Sequence, residues 1–563
     1  MKVSEKIHAN MKAIIIALAS VLPVHAAHAI DFETDNPDLK ITWNNTFKYS
    51  TAYRLKNADP TLTTATAPGT TNMYTFNQND GDLNFQKKGM ISDRLDWLTE
   101  FDIGTQNTGA RVSAAYWYDS VYNRDNHNDG SITDGVSILS GRPSNQFAPD
   151  TRDQQGKHAE VLDAFVYAKG DLGDTPGNIR VGRHTVVYGE TLFMGANGIA
   201  YAQGPTDLVK LLAVPGTPFK EILMPVNQVS GSVQVASNVS VGAYYQLEWR
   251  ASRIPAVGSY YSDFNGAGAG TNGGGILLGP GLVAVGIDDL KPKDSGQGGI
   301  QVKFTPENSG VEYGLYAAQY NDKGPQLYVN NIPPNCTPCT WQNVYAEGIK
   351  TYGASASGVL LGANVALEVS ERRNTPLVDD PVFNPAGVPA DNNNPLFAVG
   401  NTAHANLSSL YVMPTNSLFD GGVWLAEIGW NRALSCTNNC SNVDPNTTRD
   451  ATSMRAIFSP DYYQVINGLD ISIPIGLGYG LSGRSRAVFK FNGGVEHGGD
   501  LSIGVNGTYQ QVWKGGINYV HYLGKATPFL ISNPATGTTN PTLSYGQSLA
   551  DRDNISLYIK RSF

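Results

Sequence analysis

Apolar and polar residues alternate along much of this chain with a period of two. The first long segment carries its apolar residues at odd-numbered positions: Ile41, Trp43, Phe47, Tyr49, Tyr53 and Leu55. Polar side chains occupy the even-numbered positions: Thr42, Asn44, Thr46, Lys48, Ser50 and Arg54. A period of two, rather than the longer period of a helix, predicts a two-faced β-strand.

A second pair of such segments has one densely charged face. Apolar residues lie on one face on either side of a turn at residues 104–109: Leu95, Trp97, Phe101, Ile103, Val112, Ala114, Tyr116 and Tyr118. The opposite face carries charges of both signs: Arg94, Asp96, Glu100, Asp102, Arg111 and Asp119. Such a face is typical of a plugged or water-filled barrel lumen. A solvated face of a soluble antiparallel sheet would show the same alternation.

The last ten residues, 554–563, have the pattern of a closing strand. Ile555, Leu557, Ile559 and Phe563 share one face, while the other face is polar. An apolar face that ends in a C-terminal Phe is typical of the last strand of an outer-membrane barrel. Arg561 interrupts that face near the end of the strand, where a charge reaches the lipid headgroups at small cost. An amphipathic edge strand of a soluble domain remains the alternative.

The connections between these segments alternate between short and long. Short turns are predicted at residues 174–178, 236–238, 307–309 and 357–358. Long polar loops are predicted at residues 123–157, 252–296, 322–342, 374–401 and 524–553. This pattern predicts an all-β fold: a large transmembrane antiparallel β-barrel of roughly 18 strands, with short periplasmic turns and long outer loops.

The N-terminus predicts export. Lys2, Lys6 and Lys12 precede an apolar run at residues 13–22, and a small-residue cleavage site follows at residues 27–29. Residues 1–29 are therefore predicted to be a cleaved signal peptide, since the run is shorter than the roughly 20 residues that a spanning helix needs. Residues 30–563 are predicted to form a single barrel domain in the bacterial outer membrane.

The net charge of the chain argues against one class of partner, nucleic acid. The full chain carries −9; residues 1–29 contribute three Lys and one Glu, a net +2, so the remaining 563 − 29 = 534 residues carry −9 − 2 = −11. An acidic balance gives no reason to expect nucleic acid as a partner. The mean hydropathy of −0.24 does not argue against a barrel, whose apolar residues are spread by alternation.

One stretch, residues 191–225, does not have strand periodicity. It contains two short helix-like pieces, at residues 205–212 and 217–223, that are punctuated by Gly and Pro. Its apolar faces are formed by Leu208, Leu211, Leu212, Phe219, Ile222 and Leu223. We predict that this partly helical segment is inserted into the lumen as a constriction. The alternative is a loop packed on the surface.

Four cysteines form two close pairs in predicted outer loops, Cys336 with Cys339 and Cys436 with Cys440. In an exported protein this spacing predicts two local disulfides. A redox or zinc half-site is the alternative, but no βαβ pattern surrounds the cysteines. No Gly-x-Ser-x-Gly, His-Glu-x-x-His or P-loop motif occurs. We therefore predict no enzyme activity, no cofactor and no metal site.

Parity predicts which side chains line the lumen. On the strand from residue 239, the residues Val239, Val241, Ala243, Tyr245, Leu247 and Trp249 would face lipid. The inward candidates are then Tyr244, Gln246, Glu248 and Arg250, together with Asp163, Phe165, Tyr167 and Lys169 of an earlier strand. Arg183 and Glu190 are further candidates, although both cannot face inward without a bulge. Such a wall could guide an amphipathic solute, or its charges could only brace the barrel.

Several blocks resemble a known family. Residues 178–190 (NIRVGRHTVVYGE) and 239–264, the latter including YQLEWR at 245–250, are similar to signature blocks of a proteobacterial outer-membrane family catalogued as domain of unknown function number thirteen hundred and two. Residues 81–101, residues 208–225 and the C-terminal strand are also similar. The resemblance implies a large barrel, often encoded near a periplasmic or lipoprotein-like family, an efflux-type permease and genes for degrading sterols or other hydrophobic compounds. It implies no established activity.

Together these patterns predict an outer-membrane channel for passive uptake of a hydrophobic or amphipathic small molecule, such as a sterol-like compound. The expected partners are outer-membrane lipid, this solute, a periplasmic or lipoprotein partner and an efflux-type permease. Three alternatives remain: export together with that permease, a filled structural barrel whose outer loops bind a partner, and a barrel hydrolase.

Overall fold

The structure is a computed structural model that describes residues 30–64, 73–132, 142–173, 175–213, 216, 219–269, 275–279, 282–331, 338–384, 388, 394–532 and 541–563. The predicted signal peptide and Cys336 lie outside these residues. Within the part described, the segments with period-two alternation are β-strands.

The strands follow one another along the chain as β1 (Ile30–Phe32), β2 (Lys40–Arg54), β3 (Gly89–Gly104), β4 (Thr108–Asp119), β5 (Lys157–Leu172), β6 (Thr175–His184), β7 (Val226–Ala236), β8 (Val239–Gln246), β9 (Gly275–Gly279), β10 (Leu282–Gly286), β11 (Gln297–Phe304), β12 (Val311–Tyr320), β13 (Gln326–Asn330), β14 (Thr340–Val344), β15 (Ile349–Leu360), β16 (Ala363–Pro376), β17 (Val382–Asn384), β18 (Val399–Met413), β19 (Gly421–Asn438), β20 (Asp450–Ile466), β21 (Leu469–Ser472), β22 (Ile475–Ser482), β23 (Gly499–Tyr509), β24 (Trp513–Leu523), β25 (Leu530–Ser532), β26 (Pro541–Leu543) and β27 (Asn554–Ser562).

The large sheet closes on itself. Consecutive wall strands pair in an antiparallel manner, and β2 pairs with both β3 and β27. β1 pairs with the first part of β2, at the position that follows β27 along the same edge of β2. β21 and β22 together form one interrupted strand between β20 and β23. The wall therefore has 18 strands, which confirms the predicted fold class.

Turns of a few residues join the strands at one end of the barrel, which we call the short-turn end. Long segments join them at the other, the long-loop end. Two predicted turns were wrong. Residues 175–178, inside the turn predicted at 174–178, already belong to β6 and pair with β5. β15 runs through residues 357–358 and the chain turns at Leu361 and Gly362. Both residues have positive φ, 52° and 83°, as a two-residue hairpin turn requires. The Ser-Gly pair upstream is a turn dipeptide by composition, but it has strand partners on both sides.

A belt of apolar side chains surrounds the wall. Residues of one parity are exposed along each strand, for example Val166 at 56% and Leu315 at 62%. The belt continues with Val112, Ile179, Val181, Tyr245, Ile300, Leu367, Val369, Leu407, Ile428, Ile503, Val505, Ile517, Leu557 and Ile559. Arg561, which shares the parity of Leu557 and Ile559, lies with its guanidinium 5.0 Å from the ring centre of Trp513. A cation over an aromatic face is favourable, so Arg561 interacts with Trp513 although it interrupts the apolar face.

The long loops are more structured than the sequence predicted. β17, β13, β14, β10 and β9 form a five-stranded sheet in that order, and β25 pairs with β26. The five-stranded sheet buries Val329, Trp341 and Cys339 in one apolar cluster. Its strands come from three separate loops of the chain, so no local periodicity indicated them. A disulfide joins Cys436 and Cys440, with a Cα separation of 5.8 Å.

Helical structure is limited to short pieces. The α-helices are Pro60–Thr63, Asp80–Leu83, Pro149–Thr151, Leu208–Ala213 and Phe219–Ile222. The remaining turns of helix are Met73–Asn77, Arg152–Gly156, Gly195–Asn197, Ile199–Gln203, Cys440–Asn442 and Phe491–Gly493. In the described ranges, no helix is long and apolar enough to span a lipid bilayer.

The C-terminal residue contributes to closure of the barrel. Phe563 exchanges two backbone hydrogen bonds with Asn45, of 2.7 and 2.9 Å. Its ring stacks on Phe47 at 5.8 Å, and Phe47 stacks on Trp97 at 5.7 Å. We expect Phe563→Ala to lower the free energy of unfolding by about 1 kcal/mol through loss of this stacking. The measurement is the temperature at which the folded band in SDS gel electrophoresis is lost.

Phe304→Ala is the matched control, because Phe304 is exposed on the outer face and stacks on no other ring in the described part of the chain. Equal destabilisation by the two substitutions would contradict a specific role for the terminal ring.

Candidate functional site

Residues 185–225, which we call the inner segment, join β6 to β7 by way of the lumen. These two strands are neighbours, so a short hairpin could have connected them. Instead the segment contacts β16, β18 and β19, which lie far from β6 and β7 in the order of the wall. The inner faces of distant wall strands can be reached only through the inside of a closed barrel.

Two wall carboxylates hold the inner segment. Glu427 of β19 accepts hydrogen bonds from the backbone N–H groups of Leu192, Phe193 and Met194, at 3.3, 2.5 and 2.7 Å. Its side chain is almost fully buried, with 1% of the residue exposed. Three convergent donors supply the negative charge with the partners that burial would otherwise remove.

Glu368 of β16 holds the inner segment on either side of those residues. Its carboxylate accepts from the backbone N–H groups of Glu190 and Ile199, both at 2.6 Å, and from the hydroxyl of Thr191 at 3.2 Å. The residue is 2% exposed. The two glutamates thus fix a stretch of irregular backbone from residue 190 to residue 199.

Arg372 and Asn197 complete the attachment. The guanidinium of Arg372 donates to the carbonyl oxygens of Ala196 and Gly198, both at 2.8 Å. The amide of Asn197 bonds the side chains of His404, Asn406 and Asn431 at 2.5 to 3.1 Å. Sequence reasoning missed these wall residues, although strand parity could have placed each on an inward face.

The predicted constriction residues pack mainly within the inner segment. Phe219, Ile222 and Leu223 are buried in one cluster with Ala200, and Leu211 packs against it. Leu208 and Leu212 are half-buried, and Leu212 packs against a cluster that includes Val520 and Tyr522 of β24. Apart from Ala213, the exposed side chains of these helices are charged: Lys210, Lys220 and Glu221. The apolar faces therefore hold the segment together and against the wall.

The predicted wall residues of β5 lie on the inward face of that strand. Asp163, Phe165, Tyr167 and Lys169 lie opposite the exposed Val166, and Phe165 contacts the ring of His184 of β6 at 5.5 Å.

Residues of the inner segment contact two candidates on β8. Tyr244 packs against Tyr188 at 5.4 Å, and Gln246 donates to the carbonyl oxygen of Gln203 at 2.6 Å. Glu190, itself in the inner segment, pairs with Lys303 of β11 at 3.2 Å.

The prediction of lumen-facing residues was wrong for Arg183, within β6, and for Glu248, beyond the end of β8. Arg183 shares the outward parity of Ile179 and Val181, and it pairs with Glu248 at 3.2 Å on the outer side of the wall. Trp249 is buried rather than exposed to lipid, and its indole N–H donates to the carbonyl oxygen of Asp322 at 2.9 Å. Alternation holds only within a strand, and β8 ends at Gln246.

Arg250 does reach an inward group. Its guanidinium lies 3.1 Å from the carboxylate of Glu160, which Arg253 also approaches at 2.6 Å. Arg253 pairs in turn with Asp207 of the inner segment at 2.7 Å. These four residues connect the wall to the inner segment at the long-loop end. These ion pairs therefore link the inner segment to the wall.

A row of lysines crosses three neighbouring strands. Lys48 of β2 is opposite Lys560 of β27, which is opposite Lys514 of β24. All three have the parity opposite to the exposed belt residues, so they point into the lumen. We call them the lysine row. None of them forms an ion pair with another residue of the described part of the chain.

An apolar strip lies on another part of the inner wall. Leu410 of β18 is opposite Leu425 of β19, which is opposite Ile457 of β20; Val412 and Val423 form a second such row. Leu425 and Ile457 pack against the cluster that contains Phe193 and Met194 of the inner segment. From there the strip continues toward the short-turn end, where Val412 is exposed.

No group of three or more His, Cys, Asp or Glu side chains is arranged to bind a metal ion in the residues that the structure covers. Several acidic and basic side chains of the lumen form ion pairs with one another. Arg111, for example, forms ion pairs with Glu100, with Asp102 at 3.6 Å and with Asp163 at 3.7 Å.

Comparison with known proteins identifies a family. A family model described as "Protein of unknown function (DUF1302)" matches residues 10–563. No curated protein matches.

Solved structures with a similar fold include OccAB4 from Acinetobacter baumannii, which is 11% identical with a TM-score of 0.39 and covers 94% of this chain and 100% of that chain. A BenF-like porin from Pseudomonas fluorescens Pf-5 is 10% identical with a TM-score of 0.39, at coverages of 93% and 98%. OpdK from Pseudomonas aeruginosa, solved with vanillate, is 8% identical with a TM-score of 0.36, at coverages of 92% and 98%. Similarity this distant says nothing about what this chain binds.

Loss of one wall carboxylate should loosen the inner segment. In Glu427→Gln, an amide group replaces one acceptor oxygen and the charge is lost, so we expect the backbone at residues 192–194 to be destabilised locally by roughly 2 kcal/mol. Hydrogen–deuterium exchange at those amides should then be about 30-fold faster.

Glu371→Gln is the control, because Glu371 makes a partly exposed ion pair with Arg373 at 2.8 Å and shares the outward parity of the exposed Leu367 and Val369 on β16. Unchanged exchange at residues 192–194 in Glu427→Gln would show that the carboxylate does not hold the segment.

Proposed function

This chain belongs to the DUF1302 family of proteins of unknown function, and from that premise we propose that it is an outer-membrane channel for a hydrophobic or amphipathic small molecule. The observation that carries the proposal is the apolar strip inside the closed barrel. Packing against the inner segment accounts for Leu425 and Ile457, but Val412 is 70% exposed, and an apolar patch exposed to water is typical of a binding groove. Such side chains favour a solute with apolar surface.

The size of the barrel supports a passage. Barrels of 16 to 18 strands enclose a lumen too wide for wall side chains alone to fill. In this chain the inner segment occupies part of that space and is held by polar contacts to one side of the wall. The solute would pass between the inner segment and the remaining wall.

Three features support the outer membrane as the location. The outward belt is apolar around the barrel, the last strand closes the sheet against β2, and residues 1–29 have the pattern of a signal peptide. With short turns facing the periplasm, as in other outer-membrane barrels, the structured long loops face the outside.

The mechanism we propose is passive uptake. The outer loops capture the solute, the inner segment restricts its path, and the apolar strip guides it to the short-turn end. A periplasmic or lipoprotein partner, working with an efflux-type permease, would then receive it. The proposal gives no residue a catalytic role.

The test is accumulation of a labelled sterol-like solute and of a small sugar in cells that lack the protein and in cells in which it is restored. We expect entry of the sterol-like solute alone to fall when the protein is absent. Unchanged entry would contradict a channel for such solutes, and increased accumulation would favour export.

Conductance in a planar bilayer distinguishes a channel from a filled structural barrel. We expect the wild-type protein to conduct ions and the Glu368→Gln, Glu427→Gln double variant to visit a larger conductance more often. The time spent there should rise roughly tenfold for each 1.4 kcal/mol by which the attachment is weakened. The Glu371→Gln variant should behave like the wild type. A wild-type barrel that never conducts would contradict the proposed channel.

A further inference from the structure

The lumen near the short-turn end has two chemically different walls. The lysine row lies on β24, β27 and β2, while the apolar strip lies on β18, β19 and β20. β20 and β24 are separated by β22 and β23 in the sheet. Three strand spacings amount to about 14 Å around the wall. Ile457 is in register with Val520 of β24, which lies six residues or about 20 Å from Lys514 along that strand, so the strip and the row are about 24 Å apart. Only an elongated amphipathic molecule can contact both walls.

The wall between them offers little obstruction. Among the inward positions of β21, β22 and β23, Gly476, Ser502, Gly504 and Asn506 are small or short polar residues, while Asp470 and Asp500 are acidic and Asp500 is paired with Arg455. Their outward neighbours Ile475, Ile503 and Val505 are exposed on the belt, which fixes the parity. A shallow floor therefore connects the apolar strip to the lysine row.

The lysine row carries positive charge that its surroundings do not neutralise. Asp96, which is opposite Lys48, is already paired with Arg94 at 2.6 Å. Lys210 and Glu221 of the inner segment lie near Lys560 and contribute one charge of each sign. Like charges that face each other on neighbouring strands are unfavourable, and an anion between them would relieve this repulsion.

We propose that this channel selects amphipathic anions, which are molecules with an apolar body and one acidic headgroup such as a carboxylate. The headgroup binds at the lysine row and the body lies along the apolar strip. This inference rests on the proposed channel function and names the chemical class of its solute. A neutral lipophilic molecule would gain contact with only one of the two walls.

The experiment uses the purified full-length protein in planar bilayers and three probes. Cholate has an apolar steroid face and a carboxylate, its methyl ester lacks the charge, and acetate lacks the apolar body. We expect a reversal potential that indicates anion preference in a KCl gradient. We also expect cholate to block the ion current at a lower concentration than either of the other probes.

Substitutions separate the two walls. In the triple variant Lys48→Gln, Lys514→Gln, Lys560→Gln, the half-blocking concentration of cholate should rise about tenfold. The anion preference should fall, while the methyl ester should block as before. In Leu410→Asn, Val412→Asn, the half-blocking concentrations of cholate and of the ester should both rise about tenfold, with the reversal potential unchanged.

Lys157→Gln is the control for charge, because Lys157 shares the outward parity of the exposed Val161 on β5. Lys514→Gln alone, at an exposed position, should show the same changes at smaller size if the triple variant does not fold. Equal block by cholate and its ester would overturn this inference, and so would block that none of the lysine substitutions alters. If the wild-type protein conducts in either case, the proposed channel function is not contradicted. A wild type without conductance would contradict the channel function itself.

Discussion

Glu368 and Glu427 extend from the wall into the lumen, where the backbone N–H groups of residues 190–199 surround their carboxylates. A buried carboxylate is costly unless donors replace the water that it loses. The N–H groups of an irregular stretch of buried backbone likewise need hydrogen-bond acceptors, because no helix or sheet supplies them. The backbone N–H groups supply the donors that the carboxylates need, and the carboxylates supply the acceptors that the backbone needs. The path of the inner segment therefore depends on these hydrogen bonds.

The position of the inner segment determines how the remaining lumen is divided. Phe193 and Met194 pack against inward side chains of β19 and β20, and Leu212 packs toward β24. The apolar surface of the segment is thereby used in packing. Lys210, Lys220 and Glu221 of its helices are exposed and charged, and Lys210 and Glu221 lie near Lys560 of the lysine row. The remaining lumen is therefore lined by charged side chains on one side and by the apolar strip on the other.

Strand parity gives Tyr244 and Gln246 an inward position where β8 continues, and both contact the inner segment. It failed at Glu248 and Trp249, two and three residues past the end of β8, because a loop has no fixed alternation. The five-stranded sheet among the long loops was not predicted at all. Its strands are short and belong to different loops, so no local pattern carries their pairing.

The sequence by itself determined the strands, their two faces, the short-turn and long-loop ends and the closing role of β27. Those features follow from backbone geometry that repeats every two residues and is therefore local. Only the tertiary structure decided that Glu427 meets Phe193, 234 residues earlier in the chain, and that Lys48, Lys514 and Lys560 share one row. Contacts across or around a barrel depend on strand number, tilt and register together, and no single segment of the chain encodes all three.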